Sequence, residues 1–217
     1  VKNTPRTIGL NIMLASAEDN RALVLETSAN RFYLREEEDY LYATNRFRSR
    51  YMKQYGNGKF RAHSYMRDQR LEELITQYYG KLNYRDMVKI LRDKHNPESR
   101  RGRGLVDGIE NAGTMASLVF RPDKLQIYAS NLSNMPAPDG AFLGFDCEKI
   151  WETEKPVPPL EVIKEPEITF YNKNWLKMRE AEIAHYKGNK DKLEELLTSI
   201  LQEMPDAETP LIMMGEV

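Results

Sequence analysis

Four short apolar runs, each closed by a polar turn, fill residues 8–44 and commit the start of the chain to antiparallel sheet. Ile8–Ala15 (IGLNIMLA) and Arg21–Thr27 (RALVLET) flank Glu18-Asp19-Asn20, while Arg31–Arg35 (RFYLR) and Tyr40–Thr44 (YLYAT) flank the acidic stretch Glu36–Asp39. Leu, Val and Tyr dominate these runs, which suits a pleated surface buried on one side. A basic, aromatic stretch follows from Arg46 to Arg70, with Gly56-Asn57-Gly58 as a turn at its centre.

The period then changes. Leu71, Leu74, Ile75, Tyr78 and Tyr79 fall on one helical face, and Gly80 ends the pattern. Asn83 is the expected N-cap of a second helix reaching Lys94, with Met87, Ile90 and Leu91 together. Residues 96–112 read as a loop. Strands return at 114–121, turn at Pro122-Asp123, and continue through 125–129 and 141–145. Pro156, Pro158, Pro159 and Pro166 mark 152–168 as a semi-extended linker. Helices are expected over 172–187 and 190–204, separated by Gly188-Asn189 and stopped by Pro205. Strands and helices in separate runs predict an α+β architecture with antiparallel sheets, divided into a domain over 1–151, a linker over 152–168 and a helical hairpin with its tail over 169–217.

Composition removes several classes of function. Lys+Arg number 32 against 33 Asp+Glu, a net charge of -1, so no global field draws the chain to nucleic acid or acidic lipid. No apolar run is long enough to span a bilayer. The single cysteine, Cys147, excludes an internal disulfide, and with only three histidines a zinc centre is not expected. Gly56-Asn57-Gly58 lacks the Lys-Ser/Thr and strand-to-helix setting of a phosphate loop, so neither metal nor cofactor is expected.

Three segments carry a resemblance. They are Tyr42-Ala43-Thr44-Asn45-Arg46-Phe47, Ser64-Tyr65-Met66-Arg67-Asp68-Gln69-Arg70-Leu71, and Gly113-Thr114-Met115-Ala116-Ser117-Leu118-Val119-Phe120-Arg121-Pro122 followed by Ile127-Tyr128-Ala129-Ser130. In this order they resemble the C-terminal half of the penicillin-acyltransferase-like N-terminal-nucleophile (Ntn) hydrolases, relatives of choloylglycine hydrolases and acid-ceramidase-type amidases, over roughly residues 8–147. The resemblance implies part of a four-layer αββα sandwich with two antiparallel sheets. It also implies an enzyme that hydrolyses or transfers acyl groups at linear C–N amide bonds of a small-molecule substrate. Its nucleophile would be a cysteine freed by self-cleavage, whose own α-amine accepts the thiol proton.

Two residues follow as candidate catalytic positions. Asn45 matches the family's Thr-Asn dipeptide, whose side-chain amide serves an oxyanion; without the resemblance it reads as a strand-end Asn bonded to its own turn. Relatives often carry His after that dipeptide, where this chain has Arg46. Arg67 matches the arginine at the start of the following helix, which lowers a thiol pKa or holds a carboxylate. Its plain reading is a helix-start arginine paired with Asp68 or Glu72, and Arg70 competes for the same role.

Cys147 sits in Gly-Phe-Asp-Cys-Glu-Lys, where negative neighbours disfavour a thiolate, so it reads as a structural thiol. With Val1 first and Thr-Asn already at 44–45, the chain reads as a fragment of a longer enzyme, as one whose other half sits on a separate chain, or as a lineage that lost catalysis. The basic stretch 46–70 admits three readings: a solvated loop facing Glu36–Asp39, the mouth of an anion-accepting pocket, or a surface for single-stranded RNA. Ala181, Ala184, Tyr186, Gly188, Leu197 and Pro205 resemble one tetratricopeptide-type repeat, with Leu193 where a small residue is usual. A lone repeat needs a neighbour, so the hairpin is expected to pack on the main domain or on another protomer of a homo-oligomer. The alternative to the enzyme is a non-catalytic interaction protein that keeps the sandwich and docks through this hairpin.

Overall fold

In a computed structural model of the chain, residues 6–37, 39–56, 61–94, 108–110, 114–131, 136–166, 170–205, 210, 211 and 214 are described. The Asn57-Gly58 turn, most of the 96–112 loop, Gly113 and His95 lie outside the described residues.

The opening runs form a three-stranded antiparallel sheet, β1 (Leu10–Ser16), β2 (Arg21–Thr27) and β3 (Phe32–Arg35), in that order. Asn20, at φ 48, closes the β1–β2 turn in the left-handed conformation that asparagine tolerates. The register places Leu10, Ile12, Leu14, Leu23, Leu25, Phe32 and Leu34 on one face. Leu10, Leu14 and Leu34 there are exposed by 45%, 51% and 49%. The opposite face carries Asn11, Val24, Glu26 and Arg35, and its Val24 is fully buried.

Tyr40–Thr44 is not a fourth strand; it joins no ladder. Helix α1 (Arg61–Gln77) begins ten residues ahead of the apolar pattern that starts at Leu71. Its first turns bury polar groups, Ser64 at 0% and Asp68 at 3% exposure, so hydrophobic periodicity was silent there. Helix α2 (Tyr84–Leu91) is capped by Asn83 as expected, whose Oδ1 accepts from the N–H groups of Arg85 and Asp86 at 2.9 and 3.2 Å. It stops at Leu91, short of Lys94, because Arg92 leaves helical geometry at φ -89 and ψ 1.

The second sheet is β4 (Leu118–Arg121), β5 (Gln126–Ser130), β6 (Phe142–Asp146) and β7 (Glu161–Ile163), antiparallel and in chain order. Between its last strands lies the short helix α3 (Cys147–Glu152), capped by Asp146. Neither α3 nor β7 has a periodic signal: β7 is three residues inside the Pro-rich segment, and Glu161 is tied to α2 by the Tyr84 hydroxyl at 2.7 Å. One face packs on α2, with Val88 against Val119, Tyr128 and Phe142. The Tyr84 and Tyr128 rings stack there at 4.6 Å. The other face gathers Leu118, Phe120, Ile127, Leu143, Phe145 and Val162, of which Phe120 is 61% exposed. Lys94 reaches both Glu110 Oε2 and Asp139 Oδ1, at 2.8 and 2.9 Å, and both carboxylates are buried.

Helices α4 (Phe170–Tyr186) and α5 (Lys190–Glu203) form the expected hairpin around Gly188, which sits at φ +70. Met178, Ala181, Ala184, Leu193, Leu197 and Ile200 make a core of their own. Its small members Ala181 and Ala184 lie on α4 and its larger Leu193, Leu197 and Ile200 on α5. Among the described residues no helix is long and apolar enough to cross a membrane.

Candidate active site

Segment 39–44 lies along α1 in the opposite direction. Two residues of extended chain advance about 6.7 Å and four residues of helix about 6 Å, so alternate positions of one meet every fourth position of the other. Tyr40, Tyr42 and Thr44 follow that match in meeting Thr76, Glu72 and Asp68. The Tyr40 and Tyr42 hydroxyls both donate to the Glu72 carboxylate, and these bonds, Tyr40's first, hold Glu72 below the usual carboxylate range. Burial, and then the bond to Glu72, push the Tyr42 hydroxyl well above the usual phenol range. Thr44 Oγ1 lies 2.7 Å from Asp68 Oδ1 and 3.1 Å from the Ser64 carbonyl. The alternation that predicts a strand over 40–44 is real; a helix reads it instead of a neighbouring strand.

Beyond Thr44 the chain arches over the buried-polar face of the first sheet. Asn11 Nδ2 donates to the carbonyls of Thr44 and Arg46, at 2.6 and 2.8 Å, one on each side of Asn45. Its register partner Glu26, 1% exposed, accepts the backbone N–H of Arg48 at 2.7 Å and the Ser49 hydroxyl at 2.6 Å. Arg35 supplies the countercharge that a buried carboxylate needs, with Nε 3.5 Å from Glu26 Oε1. Phe47 is seated against Gly9, where a Cβ would stand 3.0 Å from the ring and 3.2 Å from the Thr27 carbonyl.

Asn45 is at the crest and exposed. Arg67 donates from Nη1 to Asn45 Oδ1 and from Nη2 to Ser64 Oγ, both at 3.1 Å. With the carboxamide oxygen engaged, Nδ2 is the donor presented beside a permanent cation. Such a pair polarises a carbonyl and stabilises negative charge growing on its oxygen. Arg46 is held by Asp68 through Nε and lies 5.2 Å from the Tyr65 ring centre.

The structure therefore brings Asn45 and Arg67 together. Arg70 is directed elsewhere, forking onto Asp93 at 3.0 and 2.9 Å. Asp68 and Glu72, the plain partners expected for Arg67, are engaged by Arg46 and Thr44 and by the two tyrosines. The solvated-loop reading of 46–70 is corrected in two ways. Residues from Arg61 onward are helix, and Glu36, Glu37 and Asp39 are met by Arg21, Arg35 and Tyr79 instead. Arg46, Arg48, Arg67 and Arg70, four of the eight cations in this stretch, have partners within the fold.

Cys147 opens α3 at the end of β6 as a free thiol between Asp146 and Glu148. His185 is in the last turn of α4. Asn11 and Glu26 were not singled out by sequence reasoning. The signal was present: each is a polar residue inside an apolar strand run, a place where asparagine and glutamate are disfavoured.

The family model for acyl-coenzyme A:6-aminopenicillanic acid acyl-transferase matches residues 1–133, which contain the whole arch and α1. The chain belongs to this family. Comparison with curated proteins and with solved structures gave no match. As a member of the acyl-coenzyme A:6-aminopenicillanic acid acyl-transferase family, the chain is acyltransferase- and Ntn-hydrolase-like in general character, and its α+β fold with two antiparallel sheets agrees with that. The family match ends before β6, α3 and the α4–α5 hairpin.

Proposed function

We propose that the chain is the C-terminal portion of a cysteine Ntn amidase or acyltransferase that hydrolyses or transfers acyl groups at linear C–N amide bonds of small-molecule acyl-amides. The observation that carries this reading is the Asn45–Arg67 contact at the crest of the arch, where the amide oxygen is engaged and the N–H₂ is presented. In the reaction the cysteine thiol gives its proton to its own α-amine as its sulfur attacks the amide carbon. Asn45 Nδ2 donates to the developing oxyanion, and Arg67 keeps the carboxamide turned that way. Collapse breaks the C–N bond, the leaving amine takes the proton held by the α-ammonium, and water or a second amine resolves the thioester.

The nucleophile is assigned to polypeptide preceding Val1, released by self-cleavage, because Cys147 is the chain's single cysteine and stands between two carboxylates. The exposed apolar faces of both sheets support the same assignment, since Leu10, Leu14 and Leu34 on one and Leu118, Phe120 and Val162 on the other are what the inner layers of a four-layer sandwich cover. Residues 152–168, which include β7 of the second sheet, then lead from this domain to the hairpin.

The test is an assay of the full-length gene product on a panel of acyl-amides. Asn45→Ala is expected to lower kcat/KM by about a hundredfold or more. An unchanged rate removes the assignment. One observation favours a second reading, docking through the hairpin by a non-catalytic protein: α4 presents Leu176, Ile183 and Tyr186 at 59%, 46% and 93% exposure. Absence of turnover on the whole panel by a product containing an upstream cysteine selects that reading.

A further inference from the structure

Asn11 spends both of its amide hydrogens on one task. It lies on β1, away from α1 and its arginine, and grips the carbonyls of Thr44 and Arg46 at 2.6 and 2.8 Å. These oxygens belong to the residues before and after Asn45, with Asn45's own carbonyl between them. A hydrogen bond on one side of a residue leaves that residue free to swing about the bond; one on each side fixes the plane between them. Among the described residues, Asn11 Oδ1 is buried and has no hydrogen-bond partner. A fold that needed only a polar filler at this position would do better with a smaller side chain that hides no acceptor. The stranded oxygen is the consequence of aiming both N–H groups at the arch.

Beside it in register, Glu26 does the complementary thing, accepting N–H groups from Arg48 and Ser49 on the descending limb. A donor and an acceptor standing next to each other on adjacent strands therefore hold the carbonyl side and the amide side of one short arch. We propose that Asn11 is the positioning residue for Asn45: its carboxamide fixes the backbone on both sides of the crest, so that Arg67 meets Oδ1 and Nδ2 faces the acyl centre. This rests on the assignment of Asn45 to the oxyanion.

The test reads position and chemistry separately. In the 217-residue chain, Asn11→Asp keeps the shape and turns acceptors toward two carbonyls, while Asn11→Ala removes the grip without adding charge and serves where the aspartate variant does not fold. Nitrogen-15 relaxation is recorded for the Asn45 side-chain amide and for backbone residues 44–46. The expected result is a loss of order confined to these groups, with Val24 and Met52 signals unchanged. Unaltered order at Asn45, or a loss spread evenly over the chain, overturns the inference.

Kinetics on the full-length product supply the second arm. Asn11→Asp is expected to lower kcat about tenfold or more with KM within about threefold, and to add nothing to Asn45→Ala in the double variant, because it acts only through Asn45. Additive losses overturn the inference. A silent Asn45→Ala removes the catalytic reading, while the relaxation result still decides the positioning.

Discussion

Arg67 and Asn45 meet across 3.1 Å although they leave elements of different kinds, one a helix and the other an arch resting on a sheet. The second arm of the guanidinium reaches the fully buried Ser64 one turn back on α1. Lysine offers a single point of charge and cannot span both acceptors. Arg67→Lys in the full-length product is accordingly expected to lower kcat/KM by about tenfold or more on acyl-amides while leaving the fold intact. Steady-state kinetics with a circular-dichroism melt check both halves of the statement.

Asp68 joins the arch to α1, taking Arg46 on one oxygen and Thr44 on the other. Asp68→Asn keeps the hydrogen-bonding shape but removes the negative charge. Arg46 is 28% exposed, so water screens part of the loss, and the expected destabilisation is about 1–2 kcal/mol. Urea denaturation measures it; a change within error would show that the pair contributes shape alone.

Glu110 shares the single ammonium of Lys94 with Asp139. Burial pushes its carboxyl up to about 7, against the pull of Lys94. A carboxyl raised on folding contributes stability that is complete below its ordinary value and lost as pH climbs through the raised one. Stability is expected to fall by about 1–2 kcal/mol between about pH 5 and about pH 7.5, and Glu110→Gln to flatten that slope. Denaturation midpoints of the two proteins at both pH values give the answer, and parallel slopes would reject it.

Tyr128 lies flat over Gly144, its register partner on β6, and stacks on Tyr84 from α2. A methyl group at residue 144 would stand 2.6 Å from the Tyr128 ring. Gly144→Ala must therefore tilt the ring out of its stack, at a cost of about 1–3 kcal/mol. Lower thermal stability with a weakened near-ultraviolet tyrosine band is the expected pair of results.

The strands β1, β2 and β3 and the cap at Asn83 were legible because each is written in a local signal, an apolar run with a turn or an asparagine before a helix. The first turns of α1 were not, since the face they bury is Ser64 and Asp68, and apolar periodicity cannot report a polar contact. Tyr40–Thr44 shows the converse: its alternation was visible, but alternation does not say whether the partner is a strand or a helix spaced by fours. Asn45 and Arg67 were found through motif resemblance, and their contact could not be, because it depends on the arch that Asn11 and Glu26 hold from strands more than twenty residues away in the case of Glu26 and Ser49.

Arg70 and Arg67 leave α1 one turn apart, the first forked onto Asp93 at the exit of α2 and the second touching the crest. α2 is seated on the second sheet, so the Arg70–Asp93 pair ties α1 to that sheet through α2. One helix and one ion pair thus join the residue at the crest to the body that packs on the second sheet.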